Sequence, residues 1–234
     1  MAPTLYLIPT TLGEINLNCC IPHHVIEITR SLTYFIVEDV RTARRYLSKL
    51  RMPLPINELN FYELNEHTKA EDLQSLLQPL LEGNNVGLMS EAGVPAVADP
   101  GKDVVHIAHQ KGIKVVPLVG PSSILLAVMA SGLNGQNFAF NGYLPIKEQE
   151  RIQRIRLLEN RSIQERQAQV FIEAPYRNTK LLEAFLASCN DTTMLCIAAN
   201  LTIKSEWIQC HPITYWKKRK PDINKKPCVF IIQG

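Results

Sequence analysis

This sequence of 234 residues lacks the short motifs that mark several common cofactor and metal sites. Gly-x-Gly does not occur among its eleven glycines, so we expect neither a Rossmann dinucleotide loop nor a Walker-type phosphate loop. His-Glu-x-x-His and Gly-x-Ser-x-Gly are also missing, which excludes a zinc-protease helix and an α/β-hydrolase nucleophile turn. His106 and His109 form the one histidine pair at helical spacing. We interpret them as a solvated helix face and expect no metal.

The six cysteines include no Cys-x-x-Cys, and the adjacent Cys19 and Cys20 suit no disulfide framework. We therefore expect free thiols in a reducing cytoplasm. The first residues carry no positive segment followed by an apolar one, so we expect no secretory signal.

The chain has only a small excess of positive charge, because 25 basic side chains against 22 acidic ones leave a net charge of +3. A protein that coats nucleic acid usually carries more, so an anionic partner must be met by a local patch. Hydrophobic residues at 46% and charged residues at 20% indicate a folded globular chain rather than a disordered one.

One uncharged stretch, residues 115–133, has about the length of a membrane span. Pro117, Gly120, Pro121 and Gly132 interrupt it. We therefore predict a strand, a turn and a helix inside a folded domain, with no membrane partner.

Short apolar runs alternate with helical patterns through residue 117, which predicts a parallel, doubly wound α/β sheet. The later strands at residues 194–199, 207–209 and 228–232 have no long helix between them, which indicates a mixed sheet. We predict two α/β domains, residues 1–119 and 120–234. The expected strands of the first are residues 5–8, 34–37, 58–64, 86–89 and 115–116, and its expected helices include 41–50, 68–81 and 103–110.

Three loops combine Gly and Pro with small hydroxyl residues directly after predicted strands: a first loop (residues 9–13), a second loop (90–101) and a third loop (119–123). Glycine permits a positive φ and close backbone approach, and a serine can cap the next helix. Such loops lie where open parallel sheets bind ligands, beyond the carboxyl ends of the strands. As isolated features they are also typical of plain strand-to-helix turns.

Eight segments form a pattern that covers nearly the whole chain: Leu5–Gly13, Val37–Arg41, Asn65–His67, Ser90–Gly101, Pro117–Ser123, Ala130–Leu133, Phe140–Pro145 and Phe171–Arg177. In combination they resemble the tetrapyrrole methylase superfamily, the class III S-adenosylmethionine-dependent methyltransferases. Within it, they are most similar to the bacterial ribosomal RNA small-subunit methyltransferase I family, which methylates a cytidine 2′-hydroxyl.

Two segments depart from the family's pattern. Ala199-Asn200 stands where the family usually has Arg-Glu, and Lys225-Lys226-Pro227 stands where it commonly has Lys-Gly-Glu. The three loops match better than these two segments. The resemblance therefore favours the methyl donor more strongly than the ribosomal substrate.

The resemblance implies a homodimer of two-domain chains, with S-adenosylmethionine bound in a cleft between the domains. Carried over by position, the expected donor-binding residues are Pro9, Leu12, Gly13, Ser90, Glu91, Gly93, Val94, Val97, Ser122, Ser123, Ile124, Glu173, Ala174, Leu201 and Pro227.

Methyl transfer from a sulfonium chiefly requires alignment and exclusion of water, which is consistent with the absence of an obvious catalytic motif. A ribose hydroxyl acceptor would also gain from a general base. The candidates are Glu38, Asp39, Glu66 and Glu91, and the sequence does not choose among them or against a capping or salt-bridge role.

Basic residues gather in two places despite the small net charge. The first basic patch consists of Arg41, Arg44, Arg45, Lys49 and Arg51, and the second consists of Trp216, Lys217, Lys218, Arg219 and Lys220 with Lys225 and Lys226. Basic residues beside aromatic ones, here Tyr215 and Trp216, suit an RNA backbone and unpaired bases. A solvated loop is the alternative for the second patch.

Three functions remain open at this point. In the first, which the two basic patches favour, the chain is a methyltransferase of ribosomal or other structured RNA. Alternatively, it methylates a tetrapyrrole or another small metabolite, or it is a non-catalytic dimeric relative, which the changed Ala199-Asn200 leaves open.

Overall fold

The computed structural model describes residues 2–65, 67–69 and 71–234. Contacts between Cα atoms divide the chain into two compact units, Met1–Ser122 and Ser123–Gly234. They are called the first and second units below. That two separately folding domains meet after residue 119 stays a prediction.

A parallel five-stranded sheet forms the first unit, as the alternation of strands and helices predicted. Its strands are β1 (Thr4–Ile8), β2 (Tyr34–Val37), β3 (Asn60–Glu63), β4 (Val86–Met89) and β5 (Lys114–Pro117). They lie in the order β3-β2-β4-β1-β5. The interior strand β1 pairs with β4 on one side and β5 on the other, so that Leu5 lies opposite both Val86 and Val115.

Helices cover both faces of this sheet, which makes it doubly wound. They are α1 (His23–Arg30), α2 (Val40–Lys49), α3 (Leu73–Leu76), α4 (Gln78–Leu81) and α5 (Lys102–Gln110). Ala43 and Leu47 of α2 pack in the core on one face, whereas Leu76, Leu80 and Val104 of α3, α4 and α5 pack on the other. Burial of these apolar stripes provides the main stabilisation of the layers.

The single helix predicted over residues 68–81 is wrong. The chain forms two short helices that meet at Leu77. Pro79 lies at the start of α4, and a proline has no N–H with which to extend the preceding helix. The leucine spacing still has its expected effect, because Leu76, Leu77 and Leu80 are all buried.

The second unit contains a mixed five-stranded sheet, as predicted. Its strands are β6 (Phe138–Phe140), β7 (Ala168–Ile172), β8 (Met194–Ala199), β9 (Trp207–Pro212) and β10 (Cys228–Gln233). They lie in the order β6-β7-β10-β8-β9. Only the β6–β7 pair among these strands is parallel.

Four helices accompany this sheet: α6 (Ser123–Ser131), α7 (Glu148–Glu165), α8 (Asn178–Ser188) and α9 (Ile213–Lys218). Phe185 of α8 packs between Phe171 and Phe230, with ring centroids 5.4 and 5.9 Å away. Trp216 is 1% exposed and contacts Trp207 edge to face, with ring centroids 6.0 Å apart.

The uncharged stretch 115–133 contributes to β5 and to α6, as predicted. Within the described residues, no helix combines the length and apolar character needed to cross a membrane.

Candidate active site

The three loops lie together at one edge of the first unit's sheet. They follow β1, β4 and β5, which are neighbouring parallel strands. The chain leaves β1 towards β2 on one side and leaves β4 towards β5 on the other. Open α/β sheets bind ligands at such a reversal.

Backbone contacts hold the loops against each other. Thr10 N donates to Gly93 O at 2.8 Å, which joins the first loop to the second. A Cβ atom placed on Gly120 would overlap the ring of Pro9, so glycine is required for the third loop to approach the first. Tyr46 of α2 donates its hydroxyl to Pro9 O at 3.1 Å, and burial raises the pKa of that phenol above its usual range.

The second loop has an unusual backbone. Ala96 and Ala98 both have φ of 65°, and Gly93 and Gly101 have φ of 83° and 132°. A left-handed non-glycine residue costs about 1–3 kcal/mol, and such residues cluster at functional sites. The strain therefore supports a ligand-binding role, with the exposed Val97 between the two alanines.

One buried polar atom of the first loop has no hydrogen-bond partner. Thr10 is 3% exposed, and its Oγ1 makes no hydrogen bond to any described residue. A buried hydroxyl in this state costs about 1–3 kcal/mol unless a ligand or water satisfies it. Beside it, Pro9 and Gly93 are buried. The loops thus offer glycine backbone and an unsatisfied hydroxyl, which fits a polar cofactor such as S-adenosylmethionine.

Acidic side chains gather beside the second loop. Burial, followed by the negative charge of Asp99, raises the pKa of Glu38. Burial also raises the pKa of Asp99, and the charge of Glu91 adds to this. Glu91 N donates to Glu38 Oε2 at 3.4 Å, and Thr42 Oγ1 donates to Glu91 Oε1 at 3.2 Å. Among the candidate bases, Glu38 is half-buried and has a raised pKa, so its carboxylate takes up a proton more readily than an ordinary glutamate does.

The other candidate bases differ from Glu38. Asp39 is exposed and caps α2 by accepting from Thr42 N at 2.6 Å. That backbone hydrogen bond lowers its pKa, so the carboxylate is a poor proton acceptor. Glu66 lies outside the described residues.

In the second unit, three segments of the expected donor set meet at one end of the sheet. Ile172 and Ala199 end β7 and β8, and they lie opposite Val229 and Cys228 at the start of β10. Asn200 N donates to Pro227 O at 2.9 Å. The antiparallel pairing thus brings together residues that the sequence separates widely: Glu173, Ala174, Leu201 and Pro227.

The backbone is strained at this end too. Asn200 and Thr202 have φ of 54° and 72°, and Lys225 has φ of 56°. They flank Leu201 and precede Pro227, just as the left-handed alanines flank Val97. By contrast, Arg51 and Arg166 have positive φ at the ends of α2 and α7, where a left-handed residue is an ordinary helix stop.

Glu173 has a positioning role in the structure. Its side chain is 2% exposed, and Oε1 accepts from Arg177 Nη2 at 2.6 Å and from Ala174 N at 2.8 Å. These contacts all meet at Oε1 and fix the turn after β7. Ala174 then offers only backbone groups to a ligand.

The remaining expected donor residues lie within or next to the loops. Leu12 contacts Gly93, since its Cδ2 would lie 3.1 Å from a Cβ added there. Gly13 is half-buried in the turn that closes the first loop, and Val94 is half-buried in the second. Ser122 precedes α6, and Ser123 and the 8% exposed Ile124 begin it.

The first basic patch lies on the solvent side of α2. Arg44, Arg45 and Lys49 line an open depression of about 740 Å³ together with Glu14. The guanidinium of Arg44 lies 5.3 Å from the centroid of the Phe61 ring. Arg41 is exposed at the start of the helix. The patch therefore presents its cations outward, as contact with a phosphate backbone requires.

The second basic patch is different, and the expected stacking role of Trp216 is wrong. Trp216 is buried in the core, and its Nε1 is satisfied there because it donates to Leu195 O and His211 O at 2.9 and 3.1 Å. Tyr215 is half-buried instead, stacked on His211 with Arg219 over its ring. The four cations at residues 217–220 are exposed, and Lys217 and Lys220 pair with Asp191 and Glu183 at 2.6 and 3.6 Å.

Sequence reasoning missed two residues of this site. Thr10 was predicted only as part of the first loop, and Asp99 only as part of the second. A polar residue next to Pro or Gly in a loop after a strand is the available signal. Their burial, which gives them significance, depends on packing between distant segments.

Solved structures share this fold. The methyltransferase CobJ matches with a TM-score of 0.66 and 16% identity over 99% of this chain and 93% of its own. Cobalt precorrin-4 methyltransferase matches with a TM-score of 0.63, and uroporphyrin-III-C-methyltransferase from Thermus thermophilus with 0.57, each at 14% identity over 98% of this chain and 94% of its own. The fold is therefore that of the tetrapyrrole methyltransferases.

No family model matches the sequence, but individual relatives do. Ribosomal RNA small subunit methyltransferase I of Vibrio cholerae is 30% identical over 236 residues, with 100% of this chain and 78% of its own covered. The protein of that name from Thermotoga maritima is 29% identical over 221 residues, with 93% of each chain covered. This chain belongs to the ribosomal RNA small subunit methyltransferase I family.

Proposed function

We propose that this protein transfers a methyl group from S-adenosylmethionine to a ribose 2′-hydroxyl of small-subunit ribosomal RNA. Family membership supports the reaction class. The observation that carries the proposal is the position of left-handed, non-glycine residues. Ala96, Ala98, Asn200, Thr202 and Lys225 flank the segments that the family resemblance assigns to the donor.

The donor would be held mainly by backbone groups of the loops, with Thr10 Oγ1 as an additional hydrogen-bonding group. When bound, S-adenosylmethionine supplies the activated methyl group. The chain's task is then to orient the acceptor and exclude water. Loops fixed by contacts such as Thr10 to Gly93 are rigid enough for that task.

Glu38 is proposed as the general base. Its raised pKa makes the carboxylate a stronger proton acceptor than an ordinary glutamate, which favours uptake of the hydroxyl proton. Burial raises this pKa most and the negative charge of Asp99 adds to it, whereas the hydrogen bond that Glu38 accepts from Glu91 N lowers it. Asp39 is left with its role as the cap of α2.

RNA binding is proposed for the first basic patch. Arg44, Arg45 and Lys49 share one depression and are exposed. Each phosphate contact of this kind makes affinity fall with salt. The half-buried Tyr215, rather than Trp216, is the proposed stacking group of the second patch.

The decisive experiment measures donor binding first and methyl transfer second. Calorimetry of the full chain with S-adenosylmethionine should show one site per chain, and absence of heat and of a thermal shift would overturn both methyltransferase hypotheses. Tritiated donor should then label small ribosomal subunits purified from a strain that lacks the family enzyme. Donor binding without labelling of subunits, but with labelling of a tetrapyrrole, would instead support a small-metabolite enzyme. Donor binding with no transfer to either acceptor would indicate the non-catalytic relative.

We also propose that the protein acts in the cytoplasm as a homodimer. Light scattering during gel filtration should give twice the 26.4 kDa of one chain. A mass of one chain at micromolar concentration would contradict the dimer.

A further inference from the structure

Two cysteines of the second unit lie directly opposite each other on neighbouring strands. Cys196 of β8 and Cys210 of β9 are register partners in the antiparallel pair, between the pairs Ala198–Ile208 and Met194–Pro212. Both are free thiols.

The hydrogen-bond pattern defines the type of this pair. Ile213 N donates to Thr193 O at 2.9 Å, so these residues occupy a hydrogen-bonded position. Positions alternate along an antiparallel ladder, which makes Met194–Pro212 a non-hydrogen-bonded pair, in agreement with the missing N–H of proline. Two residues further along, Cys196–Cys210 is again a non-hydrogen-bonded pair.

This pair type suits a disulfide. Cα atoms of non-hydrogen-bonded partners lie about 4.5 Å apart, with their side chains close together. Disulfides span Cα separations of about 4.4–6.8 Å. The closeness of the two thiols also shifts their proton affinities, raising the pKa of Cys196 and lowering that of Cys210.

The two thiols differ in access. Cys196 is 0% exposed, whereas Cys210 is partly exposed on the edge strand β9. Leu195 and Ile197 belong to the core beside α8, so Cys196 points to the opposite face, where α6 contacts β8 and β9. Only Cys210 offers a small oxidant a direct approach.

We propose that Cys196 and Cys210 form an oxidation site that closes to a reversible cross-strand disulfide with hydrogen peroxide. The Cys210 sulfur attacks peroxide, so that an S–O bond forms, the O–O bond breaks and the released hydroxide takes the thiol proton to leave as water. The Cys196 sulfur then attacks the Cys210 sulfur, so that the S–S bond forms and the S–O bond breaks. The hydroxide and the Cys196 proton leave as a second water. Two thiols are oxidised by two electrons and peroxide is reduced to two waters.

The test treats the full folded chain with hydrogen peroxide, alkylates the remaining thiols under denaturing conditions and analyses tryptic peptides by mass spectrometry. Leu181–Lys204 should be linked to Ser205–Lys217, with an intact mass two hydrogens lower and full reversal by dithiothreitol. Leu181–Lys204 also contains Cys189, so fragment ions must locate the link at Cys196. Cys189→Ser should retain the link and serves as the matched control, whereas Cys210→Ser should abolish it.

The exposed Cys19 reports whether oxidation took place at all. Oxidation of Cys19 without a Cys196–Cys210 link in the wild-type protein would overturn the proposal. A link located at Cys189, or a Cys210 that advances to sulfinic acid while Cys196 stays alkylatable, would do the same. Because the wild-type chain alone gives these outcomes, unfolding of a variant would not obscure them.

Discussion

The two units differ in how their charged side chains are arranged. In the second, opposite charges pair: Arg177 with Glu173, Lys217 with Asp191, and Lys226 with Asp222. In the first, an ion pair such as Lys69 with Glu71 is exposed, and other charges gather by sign. Glu38, Glu91 and Asp99 crowd one edge of the sheet, and the arginines of α2 line one depression.

This difference distinguishes charges that stabilise the fold from charges that are available for binding or proton transfer. A buried pair such as Glu173–Arg177 fixes a turn and leaves neither charge without a counter-ion. Like charges held together carry a free-energy cost that the fold must offset, and a substrate or proton can relieve it. The charge pattern is consistent with the proposed base in the first unit, where like charges lie close together.

The largest expected effect is on catalysis, from Glu38→Gln. Removal of the proposed base should lower kcat about 10²–10⁴-fold, with the affinity for S-adenosylmethionine unchanged. Single-turnover methylation and calorimetry separate the two quantities. Asp39→Asn is the matched control, because it removes the neighbouring carboxylate that serves as a helix cap. Equal loss in both variants would remove the distinction between base and cap.

The pH dependence of stability in the same variant tests the free-energy cost of holding like charges together. Glu38 has a raised pKa in the folded state, so the stability it contributes is present below the unfolded pKa and lost as pH rises through the folded one. Glu38→Gln should therefore raise Tm at neutral pH, and this gain should shrink in acid. Wild-type activity should show the opposite dependence and fall as acidification protonates the base. A Tm difference that is independent of pH would contradict this account.

The next largest expected effect is the loss of stability when an ion pair of the second unit is broken. Arg177→Met leaves Glu173, whose side chain is 2% exposed, without its cation, and should destabilise the fold by about 3 kcal/mol. Lys217→Met breaks the exposed pair with Asp191 and should cost about 1 kcal/mol at most. Urea midpoints of the two variants give the comparison. Equal midpoints would show that burial of the pair adds nothing.

Loop packing ranks third. Gly120→Ala places a methyl group against Pro9, which should destabilise the first unit by about 1–3 kcal/mol and weaken donor binding. Gly135→Ala is the control, since the added Cβ would meet only Val128 Cγ1 at 3.8 Å. Thermal denaturation and donor calorimetry measure both effects. Unchanged donor affinity in Gly120→Ala would remove the third loop from the proposed site.

The smallest effect concerns RNA. Replacing Arg44 and Arg45 together by Ala should reduce the salt dependence of RNA binding by about one unit of slope per lost phosphate contact. Arg154 and Arg156, which are exposed on α7, provide a double-alanine control with the same loss of charge. Filter binding at several salt concentrations measures both slopes. A larger change in the α7 control would place RNA on the second unit.

The sheet architecture was predictable because apolar runs such as Val86–Met89 are short and separated by helical patterns. The helices α1 and α8 escaped prediction, and Pro79 broke a helix that the leucine spacing suggested. The regular leucine spacing favours one helix, whereas the missing N–H of Pro79 favours a break, and the sequence alone does not show which effect is stronger. That two separate helices bury the same leucines depends on tertiary packing.

The site was predictable only as a set of loops. Gly93 and Gly120 are recognisable in the sequence, but the overlap of a Cβ at Gly120 with Pro9 depends on two strands becoming neighbours. Likewise, the raised pKa of Glu38 depends first on burial and then on the charge of Asp99, which lies far along the chain. Trp216 was misread because an aromatic residue beside lysines is typical of both a stacking surface and a helix anchored in the core.

The contact between Trp207 and Trp216 gives the molecule a built-in spectroscopic label. These are the chain's two tryptophans, and both belong to the second unit. Tryptophan fluorescence therefore follows unfolding of that unit, whereas far-ultraviolet circular dichroism follows both. Coincident denaturation curves from the two signals would indicate one cooperative transition, and separated curves would indicate halves that unfold independently.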